Sequence, residues 1–333
     1  MNQADIDPIE VSPRTCRYSK NRFRSGVAAR PALSSDPYRR TMSEAGPNAA
    51  VTVRRRPLFD RSAALVRRGY VCDYQAGERP LPDPDRVLRL GRPALLPISS
   101  VACVRTDEPV VSLTYDDGPD PDFTPGILTA LAAHGARATF FVMVEPAEAH
   151  PELIARILAE GHELGLHGMD HTRLTGMPLR QATARIRAAK HRLERVAGRR
   201  ITLFRPAYGA QTVPQYLATR ALGLEVVIWS AWAQDWDGST AEVIAERALR
   251  SLHRGGILLL HDASGDGVGA AAPVDSVDSV GSVAAEGLDR VTATQLLLAG
   301  MRQRGYRSLP VSDLLNRYPA VRTVWAERRR IRR

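Results

Sequence analysis

The sequence predicts an α/β protein, a distorted or incomplete (β/α)7 barrel that follows a largely disordered N-terminal extension. From residue 108 onward, short apolar runs alternate with amphipathic helical patterns, and repeated βα units are typical of a parallel sheet covered by helices. Several helical patterns end at a glycine, where a left-handed cap is expected. Seven units over residues 108–316 fit a small or incomplete barrel better than a full eight-fold one, and a doubly wound open sheet is the alternative.

The strand candidates are short runs rich in β-branched and aromatic residues. The predicted strands are 110–115, 138–144, 163–166, 201–204, 224–229, 256–260 and 306–309. The predicted helices are 124–134, 148–160, 178–197, 213–222, 240–253 and 290–304.

The clearest helix is 178–197, in which apolar residues recur at steps of three and four and so form one face. These apolar positions are Leu179, Ala182, Ile186, Ala189, Leu193 and Val196. The capping glycines of this and four other helices are Gly135, Gly161, Gly198, Gly223 and Gly255.

The composition predicts five segments. Residues 1–60 are polar, rich in Pro, Arg and Ser, and are predicted to be a disordered basic extension. Residues 61–107 are predicted to be a poorly defined lead-in segment, and residues 108–316 to be the α/β domain that carries the candidate functional residues. Within it, residues 265–287 are rich in Gly, Ala, Ser, Val and Asp and are predicted to be a mobile insertion. Residues 317–333 are predicted to be a basic C-terminal tail.

The chain is basic, with a formal net charge of +10 that comes mostly from arginine. Clusters at residues 54–56 and 328–333 favour solvated tails, and a 6% aromatic content without a nucleic-acid motif disfavours nucleic acid as a partner. Cys16, Cys72 and Cys103 are an odd number at irregular spacing, which favours free thiols.

The sequence contains no run of 18 apolar residues, which disfavours a transmembrane segment. It also lacks the basic-then-apolar pattern of a signal peptide, and this absence predicts a cytoplasmic protein.

Two adjacent carboxylates, Asp116 and Asp117, directly follow the first apolar strand. Like charges side by side near a buried strand repel each other, so such a pair persists most easily beside a cation. Fifty residues later, His167 and His171 present two imidazoles at i and i+4. One carboxylate and two histidines give a divalent metal three protein ligands and leave a position open for water. The pattern predicts metal-assisted hydrolysis.

Other polar residues follow further predicted strands. Arg205 follows the fourth strand, Asp235 the fifth and His261 the sixth. Because reactive residues of parallel βα folds gather at the carboxyl ends of strands, this distribution predicts a single site at one edge of the sheet.

Five segments in order resemble the motifs of the polysaccharide deacetylases, also called the chitooligosaccharide deacetylase homology domain or carbohydrate esterase family 4. They read Thr-Tyr-Asp-Asp-Gly-Pro at 114–119, His-x-x-x-His at 167–171, Arg-Pro-Ala-Tyr-Gly at 205–209, Asp-Trp at 235–236 and Leu-Leu-His at 259–261. Each motif alone is weak, and each has a simpler reading as a turn, loop or core residue; the five in order are specific.

The resemblance implies a role for each position. Asp117, His167 and His171 would hold zinc, with cobalt or another divalent ion as alternatives. Asp116 would be the general base and Arg205 its partner, and His261 would be the general acid, paired with Asp235. The backbone N–H of Tyr208 would stabilise the oxyanion, and Leu259 and Trp236 would line a pocket for the acetyl methyl group.

The implied reaction is removal of the acetyl group from an N-acetylhexosamine unit of a carbohydrate or glycoconjugate. Two alternatives remain at this point, a catalytically silent glycan-binding domain and a deacetylase of a small intracellular amide or glycosylated metabolite. Members of the family are often extracellular or attached to the cell envelope, in contrast to the expected cytoplasmic location. The pocket also departs from the family pattern at Tyr115, Leu166, Gly168 and Trp232.

Overall fold

A curled parallel sheet forms the centre of the protein. The computed structural model describes residues 62–67, 86–263 and 289–324, all within the compact unit Val53–Arg333. The predictions for residues 1–60 and 265–287 lie outside the described residues, as does most of the predicted basic tail.

The strands β3 to β10 build the main sheet. Among the described residues their order is β7-β6-β5-β4-β3-β9-β8, and β10 pairs with β3. All pairs are parallel. The bounds are β3 Val110–Asp116, β4 Ala138–Met143, β5 Glu163–Gly168, β6 Leu203–Phe204, β7 Glu225–Val226, β8 Ala231–Trp232, β9 Ile257–His261 and β10 Arg307–Ser308.

Helices pack against the sheet, and the largest apolar cluster lies between the two layers. Together they form the incomplete barrel that the sequence predicts. None of the described helices is long and apolar enough to cross a bilayer. The bounds are α1 Arg86–Leu95, α2 Thr124–Ala133, α3 Val144–Ala149, α4 Pro151–Ala159, α5 Leu179–Ala197, α6 Val213–Ala221, α7 Ala241–Ser251, α8 Arg290–Gln303 and α9 Val311–Arg317.

Two local predictions need correction. The helix predicted at 148–160 is two helices, α3 and α4, because Pro151 starts a new helix after His150. Leu179 was predicted on the buried face of α5, but this first residue of the helix is 44% exposed. The five predicted capping glycines all have positive φ.

Besides β8 of the main sheet, three strands were not predicted: β1 Ala64–Val66, β2 Ser100–Val104 and β11 Ala320–Thr323. They form a second sheet in which β11 lies between β1 and β2. Strand β2 of this second sheet also contacts the main sheet through two isolated β-bridges, Val101 with Val227 and Cys103 with Gly256. Parts of the lead-in segment and of the tail are therefore buried sheet, although the domain bounds themselves remain predictions.

A buried ion pair joins this second sheet to the main one. Arg322 on β11 donates from Nη1 and Nη2 to the two carboxylate oxygens of Glu225 on β7, at 3.0 and 2.9 Å, and Nη1 also donates to the carbonyl of Ser99. Arg220 reaches the same carboxylate at 2.7 Å.

Replacing Arg322 with Met is expected to lower the free energy of unfolding by about 1.5–3 kcal/mol, because Glu225 would lose the charge-assisted hydrogen bonds from Arg322 and keep only Arg220 as a cationic partner. Urea denaturation followed by circular dichroism measures this change. Arg187→Met, at an exposed position on α5, is the matched control. Equal stability of the two variants would contradict the role of the pair.

Candidate active site

Asp116 and Asp117 stand at the carboxyl end of β3, and both are buried. Asp117 has a positive φ of 77°, which is uncommon for a residue other than glycine and is typical of functional sites. The two carboxylates have different partners. Asp116 Oδ1 accepts a hydrogen bond from Arg205 Nη1 at 2.7 Å, whereas Asp117 Oδ1 lies 3.2 Å from His167 Nε2.

Arg205 is completely buried, directly after β6. Its guanidinium lies over the ring of Phe141 at 4.1 Å and also donates to Thr114 Oγ1 and to the carbonyls of Val227 and Ile228. Burial lowers the pKa of Arg205, and the carboxylate of Asp116 opposes that effect. These contacts fix Arg205 and thereby orient Asp116.

Asp117, His167 and His171 come together as a three-residue cluster in which one ligand atom from each lies within 4.8 Å of the others. His171 Nε2 is 3.5 Å from Asp117 Oδ1. The structure therefore brings together the three residues that the sequence proposed as metal ligands.

The donor set fits a cation. His167 Nδ1 lies 2.8 Å from the carbonyl oxygen of Arg205, which can only accept, so Nδ1 carries a proton and Nε2 is the nitrogen that faces Asp117 Oδ1. That oxygen is buried without a hydrogen-bond partner among the described residues. A positive charge between the two atoms, either a proton on Nε2 or a metal ion, satisfies the cluster. Burial lowers the pKa of His167, but the carboxylates of Asp116 and Asp117 outweigh it and raise that pKa. With Nε2 deprotonated, two imidazoles with one carboxylate suit zinc.

Burial and the neighbouring charges shift the pKa values of Asp117 and His171. Burial raises the pKa of Asp117, but hydrogen bonding to His167 and the charges of His167, His261 and His171 outweigh it, and the pKa lies well below its usual range. Burial lowers the pKa of His171, and the charge of Asp117 only partly opposes this. Asp117 is thus ionised and His171 favours its neutral form, and both are the states that bind a metal.

His261, at the end of β9, forms a second pair with Asp235. Its Nδ1 lies 2.8 Å from Asp235 Oδ1, and its backbone N–H donates to Asp235 Oδ2 at 2.7 Å. Burial lowers the pKa of His261, but the charge and hydrogen bond of Asp235, with the charges of Asp117 and Asp116, outweigh it and raise the pKa to about 9. A histidine with this pKa holds a proton at neutral pH.

The remaining predicted residues lie around this edge. Tyr208 has a φ of 60°, and its half-exposed ring lies 4.3 Å from that of His171. Trp236 is 49% exposed, and its ring meets that of His261 edge-on at 5.4 Å. Leu259 is buried in β9. Their assigned roles in binding the oxyanion and the acetyl group remain predictions.

Sequence reasoning missed Asp262, which is completely buried behind the turn after β3. Its carboxylate accepts from the N–H of Gly118 at 3.1 Å and from Thr124 Oγ1 at 2.7 Å, and burial raises its pKa to about 7. A Cβ at Gly118 would lie 2.2 Å from Asp262 Oδ2, so the turn requires glycine. The sequence offered one signal for Asp262, its position directly after His261.

The chain is similar to known proteins in both sequence and structure. A profile of the polysaccharide deacetylase family matches residues 104–227. The chitooligosaccharide deacetylase of Sinorhizobium fredii is 32% identical over 208 residues, which are 62% of this chain and 92% of that protein. The structure of peptidoglycan deacetylase PdaC from Bacillus subtilis is 27% identical, with a TM-score of 0.52 over 64% of this chain and 93% of that one.

Some relatives are matched over only part of their length. The peptidoglycan-N-acetylmuramic acid deacetylase PdaC of Bacillus subtilis is 33% identical over 159 residues, which are 48% of this chain and 33% of that protein. The matched region thus spans about a third of that relative.

Proposed function

Since this chain belongs to the polysaccharide deacetylase family, carbohydrate esterase family 4, we propose that it hydrolyses the N-acetyl groups of an N-acetylated sugar polymer. The observation that carries the proposal is the cluster at one sheet edge. There a buried carboxylate facing two imidazoles lies beside an arginine-held carboxylate and a protonated histidine. Relatives named for chitooligosaccharide and peptidoglycan deacetylation support this class of substrate.

We propose that Asp117, His167 and His171 hold a divalent metal, and we favour zinc. When bound, the ion would supply a Lewis acid that polarises the acetyl carbonyl and acidifies a water. The proposal does not exclude cobalt or another divalent ion. Metal analysis of the purified protein would identify the bound ion.

The chain's own residues would move the protons. Asp116, held by Arg205, accepts a proton from the attacking water as its oxygen bonds to the acetyl carbon. The backbone N–H of Tyr208 is assigned to the resulting oxyanion. When the C–N bond breaks, its electron pair stays on nitrogen, which takes the proton of His261. Because Nδ1 of His261 is engaged by Asp235, Nε2 is the nitrogen that donates. The products are acetate and a free amine.

Acetate release tests the proposal. The metal-loaded protein is incubated with N-acetylglucosamine oligomers, with peptidoglycan fragments and with soluble N-acetylated monosaccharide conjugates, in the presence and absence of added zinc. Acetate from polymers or oligomers is the expected result. Sugar binding without acetate from any substrate would instead identify a silent glycan-binding domain, and activity on the small conjugates alone would identify a metabolite deacetylase.

The rate should fall on the alkaline side as His261 loses its proton. Because the pKa of His261 is raised to about 9, the acid is present below that pH and is lost as pH rises through it. Replacing Asp235 with Asn removes the largest contribution that raises this pKa, so burial dominates and the alkaline limb of kcat/KM is expected to move to lower pH.

The pH profiles of the two proteins measure this shift. Asp237→Asn, two residues along the chain on the partly exposed side of the same loop, is the control. An alkaline limb at the same pH in Asp235→Asn and wild type would exclude His261 as the acid.

A further inference from the structure

Arg290, the first residue of α8, is a buried cation to which the mechanism above gives no role. Arg290 is only 5% exposed, and its Nη2 donates a hydrogen bond to the carbonyl of Ala263 at 3.1 Å. Nε and Nη1 are buried without a hydrogen-bond partner among the described residues. A buried guanidinium normally meets a carboxylate, so its position calls for an explanation.

Arg290 lines a small cavity behind the proposed proton donor. Asp235 and His261 line the same cavity, as do Tyr115 and Thr294, whose hydroxyls lie 3.2 Å apart. Both carboxylate oxygens of Asp235 interact with His261, and Arg290 borders the same cavity as Asp235 without an ion-pair contact between the two residues. Of the charged groups around Arg290, Asp235 acts most strongly on it. In a buried environment this attraction is weakly screened.

We propose that Arg290 is a positioning residue for the His261–Asp235 pair. Its bond to the carbonyl of Ala263, two residues after His261, fixes the chain where β9 ends. Its positive charge favours the ionised Asp235 in the orientation that holds His261, and the ring of Phe123, 5.3 Å from the guanidinium, keeps the side chain in place. The inference rests on the proposed function, because it concerns the step in which His261 protonates the leaving amine.

A role limited to anchoring α8 makes a different prediction. Loss of the anchor would lower stability and reduce the rates of all substrates together. Loss of a correctly placed proton donor would reduce only reactions whose leaving group needs a proton. An amide expels an amine and needs this proton, whereas p-nitrophenyl acetate expels p-nitrophenolate without one.

The kinetic test compares these two leaving groups in the full-length metal-loaded protein. Arg290→Gln is expected to lower kcat for N-acetylglucosamine oligomers by about 10–100-fold, as residues that orient a functional group typically do, with little change in KM. Hydrolysis of p-nitrophenyl acetate should be nearly unchanged. Arg290→Lys should recover part of the amide rate, and Arg302→Gln, at an exposed position on the same helix, is the control. An unchanged ratio of amide to ester turnover in Arg290→Gln would overturn the proposal.

A proton resonance tests the same idea without turnover. The Nδ1 proton of His261, bonded to Asp235, should give a downfield NMR signal that is absent from His261→Gln. In Arg290→Gln this signal is expected to broaden or disappear as the pair loosens, while the melting temperature reports folding. A signal as sharp as that of wild type in the folded variant would refute the positioning role. Absence of amide hydrolysis by wild type would refute only the proposed function.

Discussion

Replacing Asp116 with Asn is expected to lower kcat by about 10²–10⁴, the range for a positioned general base. The amide cannot accept the proton from water, yet it has nearly the shape of the carboxylate. Its oxygen can still accept the hydrogen bond that Arg205 Nη1 donates to Asp116 Oδ1 at 2.7 Å. The fold and the three proposed ligands are therefore expected to persist, and the loss should fall on catalysis rather than on metal binding.

The measurement pairs steady-state kinetics on N-acetylglucosamine oligomers with metal content. Asp122→Asn, at an exposed position of the turn that follows β3, controls for the loss of one negative charge nearby. Near-normal turnover in Asp116→Asn would refute the assignment of the base. Loss of bound metal in the same variant would show that Asp116 serves the metal and not the water.

Replacing His171 with Ala is expected to weaken metal binding by more than about 100-fold, since even residues that only orient a ligand account for 10–100-fold. Asp117 and His167 would remain, and two ligands hold a divalent ion less firmly than three. His171 is also the most exposed of the three, with 19% of its side chain accessible, so its removal should disturb packing least.

Competition with a chelating dye gives the dissociation constant, and acetate release should return in part at high metal concentration. His191→Ala, an exposed histidine on α5, controls for nonspecific binding. The same dissociation constant in His171→Ala and wild type would contradict the proposed ligand set.

Several residues at the sheet edge were predictable because each follows a run of apolar residues that indicates a buried strand. Asp116 ends β3 and His261 ends β9, and these strands pair side by side. Parallel pairing then requires their ends to meet, whatever the intervening sequence. The order of the motifs added the identity of the partners, Arg205 for Asp116 and Asp235 for His261.

The elements that were missed depend on contacts between distant parts of the chain. Strands β2 and β11 pair across more than 200 residues, and each is too short to be assigned without its partner. Arg290 reaches the back of the site from a helix that begins 29 residues after His261. Its neighbours in the sequence carry no sign of that contact, since burial of a single arginine is a property of the fold.

Strand β11 has a consequence for how this protein is made. It is the central strand of its sheet, the one between β1 and β2, and yet it is the last strand described along the chain. Domains begin to fold during synthesis from the N-terminal side. Strand β1 therefore has no strand to pair with until residues 320–323 have been translated. The proposed catalytic groups would then all exist on the ribosome before the second sheet is complete. Premature termination a few codons before that strand should yield a chain that carries every motif and is still degraded.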